Sequence, residues 1–222
     1  MSAAAGRAAS QTELVLVRHG VTPWNRARRF QGHTDIGLDD EGREQARRTG
    51  QRLRDLPLAA VYSSDLARAL ETAAPIALAQ GLAVTREPEL RERFYGSFEG
   101  RTHDELRRDH AEHFERWRAR EPDFELPQGG ESLRAFAARV ELVLRHIAAA
   151  HPGERVAVVT HGGVLDCAYR LATGLALDAA RQHHLLNASI NLISWDGERF
   201  ALRGWGDIAH LAAADQVSAP VG

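Results

Sequence analysis

No lysine occurs anywhere in the 222 residues, and all 28 basic side chains are arginine. The codon usage of a GC-rich genome accounts for that bias by itself, so an arginine carries meaning here only through its position. Cysteine is nearly absent too. Cys167 stands alone, which excludes an intrachain disulfide and makes a reducing cytoplasm the expected compartment. No apolar run is long enough to span a membrane. Met1–Gln11 lacks the apolar segment of a signal peptide, its small apolar residues being alanines. An excess of charge of either sign is also missing. With a formal net charge of −2, neither nucleic acid nor an anionic membrane is an expected partner, and recognition of an anion has to come from a local arginine cluster. Of eleven histidines, only His110-x-x-His113 and His183-His184 form close pairs. Neither stands in a ligand pattern with carboxylates or cysteines, so no metal is expected. There is no internal repeat.

What is present suits one α/β domain with a substantial core. Hydrophobic residues make up 44% and charged residues 26%, ordinary for a globular chain. Short apolar runs at Glu13–Val17, Ala59–Tyr62 and Val156–Thr160 read as buried strands. Helices are expected over Asp39–Asp55, Leu66–Ala79, Ser132–Ala150 and from Gly162 to Thr173. Asp65 is the expected N-cap of the second, and Pro75 predicts a bend or early break in it. Two adjacent strands, Ser189–Trp195 and Phe200–Trp205, close the chain around an Asp196-Gly197 turn. This alternation predicts a three-layer α/β/α sandwich with a mostly parallel central sheet, residues 13–211, between loose tails at 1–12 and 212–222. The charged stretch Arg101–Arg120, anchored by Leu106, Phe114 and Trp117, reads as one or two helices, and residues 95–130 as a helical insertion over the substrate.

A buried parallel sheet carries its functional loops at the C-terminal strand ends. Here two of those ends run into histidine and glycine: Arg18-His19-Gly20-Val21-Thr22-Pro23-Trp24-Asn25 and Thr160-His161-Gly162-Gly163. Gly20 lets backbone approach a ligand, and the helix opening at Gly162 presents N–H groups to an anion. Arg68 falls in the first turn of a helix, where a cation needs a compensating anion or carboxylate.

These residues resemble the histidine phosphatase superfamily, which includes cofactor-dependent phosphoglycerate mutases and many small-molecule phosphatases. The resemblance runs from about Leu14 to His210. It rests on Leu16-Val17-Arg18-His19-Gly20-x-Thr22-x-x-Asn25, Ser63-Ser64-x-Leu66-x-Arg68-Ala69-x-x-Thr72-Ala73, Gly130-Glu131-Ser132 and Val159-Thr160-His161-Gly162-Gly163, in that order. It implies a phosphoglycerate mutase-like fold and a phosphohistidine intermediate on His19. Arg18, Arg68 and His161 would surround the phosphoryl, with Thr22, Asn25 and the Gly162 backbone as further donors. Gln31 and Gly32 belong to the extended motif, with His33 either near the substrate or a plain loop residue. The segment Leu90-Arg91-Glu92-Arg93-Phe94-Tyr95-Gly96 matches the one that bears the general acid, which points to Glu92, with Glu99 as the rival carboxylate and a surface ion pair with Arg91 or Arg93 as the plain alternative. Fixed cations suit phosphoryl transfer, because charge spreads over equatorial oxygens. His19 has to be neutral to attack, whereas His161 is more useful protonated, so their pKa values are expected to separate.

The resemblance favours a phosphatase acting on a small phosphorylated metabolite, without cofactor. Gly163 stands where glycolytic mutases carry asparagine, and the segment from Tyr95 to Gly130 lacks their arginine-tyrosine stretch. Glu92-Arg93-Phe94-Tyr95-Gly96 speaks for the alternative, a mutase, which would require 2,3-bisphosphoglycerate. A catalytically dead phospho-ligand binder is the third reading, set against the filled catalytic positions. Dimers are common among relatives, and a homodimer is the expected assembly if there is one.

Overall fold

The computed structural model describes residues 11–212, so the tails expected at 1–12 and 212–222 lie almost wholly outside the described residues. Six strands form one sheet: β1 (Thr12–Arg18), β2 (Ala60–Ser63), β3 (Val84–Arg86), β4 (Arg155–Thr160), β5 (Ile190–Trp195) and β6 (Phe200–Asp207). Their order is β3-β2-β4-β1-β5-β6. The first four are mutually parallel, and β5 runs antiparallel to both β1 and β6. Thr12, expected in the tail, is the buried first residue of β1.

β1 shows why the sheet is covered on both faces. Successive side chains on a strand point to opposite sides, and here both sets are apolar. Leu14 and Leu16 join a core with Val140, Leu144 and Ile147, from the helix Leu133–Ala150, and Val164 and Leu165, from the helix Gly162–Thr173. Val15 and Val17 join a second core with Leu53, from Asp40–Leu53, and Ala69, Ala73 and Ile76, from Ala67–Gln80. Burying each such leucine or valine contributes roughly 1.5–3 kcal/mol. Numbered in chain order, the helices are α1 (Pro23–Arg26), α2 (Asp40–Leu53), α3 (Ala67–Gln80), α4 (His103–Asp109), α5 (Ala111–Arg118), α6 (Leu133–Ala150) and α7 (Gly162–Thr173). The helices α4 and α5 contribute Leu106 and Phe114 to a separate cluster with Phe30, Phe98, Phe124 and Leu126.

Two expectations for α3, its cap and an early break, need correcting. Asp65 does not cap α3. Its carboxylate is paired with Arg91 at 2.6 and 2.7 Å, and the first N–H of α3, on Ala67, donates to Asp35 from another loop at 2.8 Å. Pro75 does not break α3, which continues to a left-handed cap at Gly81. Gly50 of α2 packs there so closely that a Cβ would lie 2.6 Å from the Pro75 carbonyl. The short edge strand β3 was not expected at all.

Candidate active site

Strand register brings the two histidine motifs together. Arg18 and Thr160 are paired across β1 and β4, and Ser63 is paired with Val159 across β2 and β4. The chains leave the sheet side by side, the His19 N–H donating to the Thr160 carbonyl at 2.9 Å and the Ser64 N–H to the Val159 carbonyl at 3.0 Å. The rings of His19 and His161 lie 5.2 Å apart, tilted by 58°.

The His19 Nδ1 lies 2.7 Å from the Gly20 carbonyl. A carbonyl only accepts, so Nδ1 carries the proton and Nε2 holds the free lone pair. Burial, then the charges of Arg68 and Arg18, push the His19 pKa well below its ordinary 6.5. The ring is therefore neutral. His161 is fully buried. Its Nδ1 accepts from Arg68 Nε at 3.3 Å and its Nε2 faces Ser64 Oγ at 2.8 Å. Burial and then Arg68 push its pKa far down as well. The expected separation of the two histidines is thus not found: a protonated His161 would turn an N–H towards the N–H of Arg68.

Arg68 is itself fully buried. Besides His161 it donates to the carbonyls of Thr34 at 3.1 Å and Gly32 at 2.8 Å. Arg18 donates from Nη1 to the Leu185 carbonyl, while its buried Nε has no protein acceptor among the described residues. Burial lowers the Arg18 pKa to about 10, opposed by Glu92, so it stays charged at neutral pH. A cavity of about 770 Å³ opens here, lined by Arg18, His19, Asn25, Gln31, Glu92 and Tyr95 among others. A neighbouring lobe of about 700 Å³ shares Arg18 and Glu92 and reaches Gly162, Arg93, Arg120 and Arg181.

Glu92 is buried, not the surface ion-pair partner of Arg91 or Arg93. Its Oε1 accepts from the Arg93 N–H and its Oε2 from the Gly163 N–H, both at 2.8 Å. Burial raises its pKa above the ordinary 4.5, and these two N–H groups only partly offset the rise. Glu99 has another task. It accepts from the N–H groups of His33 and Thr34 at 2.8 Å and from the Thr34 hydroxyl at 2.6 Å, pinning the loop whose carbonyls hold Arg68. His33 lies behind Glu92, its Nε2 3.0 Å from the Glu92 carbonyl oxygen.

The remaining expected donors divide. Asn25 and Gln31 reach the cavity wall. Thr22 does not offer its hydroxyl to a ligand: it is the N-cap of α1, fully buried, with Oγ1 accepting from the Asn25 N–H at 3.1 Å and lying 2.7 Å from Gln31 Oε1. Gly32 acts through its carbonyl on Arg68. A Cβ there would fall 1.9 Å from Glu99 Oε1, so Gly32 is a packing requirement of the pinned loop. No group of three or more metal-ligating side chains occurs among the described residues.

A family model described as the histidine phosphatase superfamily (branch 1) matches residues 14–208. The chain belongs to the histidine phosphatase superfamily. Phosphoglycerate mutase-like protein 4 of Arabidopsis thaliana is 41% identical over 202 residues, covering 90% of this chain and 86% of that protein. The metal-independent phosphoserine phosphatase of the same plant is 40% identical over 205 residues, covering 91% and 84%. Among solved structures, Bacillus stearothermophilus YhfR superposes with a TM-score of 0.84 at 36% identity, covering 90% of this chain and all of that one. The enzyme class is accordingly that of a phosphatase or phosphoglycerate mutase-like phosphotransferase.

Within this member of the histidine phosphatase superfamily, several site residues escaped sequence reading. Asn187 donates to the carbonyls of His19 at 3.0 Å and Gly20 at 3.2 Å and to Asn25 Oδ1 at 3.2 Å. Leu185 accepts from Arg18, and Arg181 lines both lobes. All three lie between α7 and β5, a stretch with neither helical nor strand periodicity. Ser64 was visible within its motif but not its contact with His161. No helix among the described residues is long and apolar enough to cross a membrane.

Proposed function

We propose that the chain is a phosphomonoester hydrolase for a small phosphorylated metabolite, working through a phosphohistidine on His19 with Glu92 as proton carrier. The observation that carries this reading is the pairing, in one cavity, of a neutral His19 whose Nδ1 proton is held by Gly20 with a buried carboxyl whose pKa is raised. His19 Nε2 attacks phosphorus, forming the P–N bond as the P–O bond to the alcohol breaks. Glu92 gives its proton to the departing oxygen. Glu92 then takes a proton from water, whose oxygen attacks phosphorus, breaks the P–N bond and returns His19 with inorganic phosphate.

Charge on the equatorial oxygens is met by Arg18, with its unpartnered Nε, by Asn25 and by the backbone at the start of α7. Arg68 and His161 support this from behind: Arg68 keeps His19 neutral and carries positive charge towards the site. The arginines of the second lobe favour a substrate with a further acidic group. A reducing compartment, the cytoplasm, suits the buried, unpaired Cys167.

The test is phosphate release across a panel of sugar phosphates, phosphoserine, phosphoglycerates, nucleotides and ribazole phosphate. At least one should be hydrolysed. With 3-phosphoglycerate, formation of 2-phosphoglycerate at rates far above phosphate release, and dependent on 2,3-bisphosphoglycerate, would replace hydrolase by mutase.

A further inference from the structure

We propose that Gly163 is a positioning residue for Glu92: its missing side chain leaves room for the seat in which both carboxyl oxygens are held by backbone N–H groups. The inference rests on the reading of Glu92 as proton carrier. Gly163 is the second residue of α7 and has no positive φ, so its backbone makes no demand for glycine. Alanine is the better helix former there. What alanine would meet there is the Glu92 carboxyl. A Cβ at 163 would fall 2.1 Å from Glu92 Oε1 and 3.1 Å from the Phe136 ring, whereas one at Gly162 would meet nothing nearer than Arg18 Nε at 3.4 Å.

The contact works in both directions. His161 occupies the N-cap of α7 without a side-chain capping bond, so the Gly163 N–H is one of the donors a helix start leaves without an intrahelical partner. Glu92, from a segment far away in sequence, accepts that bond at 2.8 Å and the Arg93 N–H on its other oxygen at 2.8 Å. Each oxygen keeps a second lone pair, or its proton, for the cavity it shares with His19. A methyl group at 163 collides with the far end of a flexible side chain rather than with backbone. The carboxyl is displaced and the fold survives.

The experiment compares wild type, Gly163→Ala, Glu92→Gln and the double variant on an alkyl phosphate, whose alkoxide needs a proton to leave, and on p-nitrophenyl phosphate, whose phenolate does not. General acid catalysis is worth about 10²–10⁴-fold, so Gly163→Ala should lower kcat/KM for the alkyl phosphate by at least about ten-fold and for the aryl phosphate by less than about three-fold. The variant should still unfold in one cooperative transition, its thermal midpoint lowered by no more than the loss of the displaced carboxyl bonds, about 1–3 kcal/mol, accounts for. The double variant should be no slower on the alkyl phosphate than Glu92→Gln alone. Equal losses on both substrates, wild-type rates on the alkyl phosphate, or additive losses in the double variant would overturn the proposal. If wild type releases phosphate from neither of these nor from any member of the metabolite panel, the hydrolase reading falls instead. The seat is then read by carboxyl ¹³C titration of Glu92: a midpoint moved by Gly163→Ala supports it, and an unmoved one refutes it.

Discussion

Arg68 Nε donates to His161 Nδ1 at 3.3 Å, and this one contact fixes which form His161 takes. The acceptor nitrogen cannot carry a proton, so His161 presents Nε2–H to Ser64 and stays neutral. The fully buried guanidinium thus supplies the charge, and the histidine is a neutral, oriented neighbour of the nucleophile.

Stability should therefore fall on the acid side before activity chemistry is considered. His19 and His161 both bind protons less readily folded than unfolded, where the ordinary value is 6.5. Below that value the unfolded chain binds more protons, so their contribution is complete above pH 6.5 and is lost as pH drops. Chemical denaturation from pH 8 to 5 should show a declining unfolding free energy below 6.5, with a smaller decline in His161→Gln.

The pH profile should also identify the proton carrier. Glu92 must be protonated for the alcohol to leave, and its pKa lies above the ordinary 4.5. The kcat/KM for an alkyl phosphate should fall on the alkaline side of that raised value, and Glu92→Gln should be slow and free of that limb. An identical limb in the variant would remove Glu92 from the role.

Glu99, the other carboxylate of the segment, should behave differently. It binds the N–H groups of His33 and Thr34 and holds the loop on which Arg68 rests. Glu99→Ala should cost about 1–3 kcal/mol of stability and slow alkyl and aryl phosphates alike. A loss confined to the alkyl phosphate would restore Glu99 as the rival acid.

Capping of α3 gives a structural check. Asp35→Ala should destabilise by about 1 kcal/mol, the usual worth of an N-cap, and by more than Asp65→Ala, which breaks only a partly exposed pair with Arg91. The reverse order would return the cap to Asp65.

What could be read in the sequence was what repeats locally. The apolar residues of β1 and β4 are buried on both faces, so strands and motif order were legible, and with them His19 and His161 at adjoining strand ends. Contacts made across the chain were not. Asp65 sits where a cap should be, and only the fold brings Asp35 to Ala67. Thr22 has the right hydroxyl for a phosphate, yet its neighbours Asn25 and Gln31 take it. Asn187 belongs to a connection without periodicity, and β3 is three residues long with only Val84 apolar.

In the proposed mechanism, phosphorus is carried on His19 Nε2. A rapid quench with a ³²P-labelled substrate tests it most directly. The label should be acid-labile and base-stable, reside on Nε2 because Nδ1–H is bound to Gly20, and be absent from His19→Ala. Label on Nδ1, label surviving acid, or label persisting in His19→Ala would contradict it.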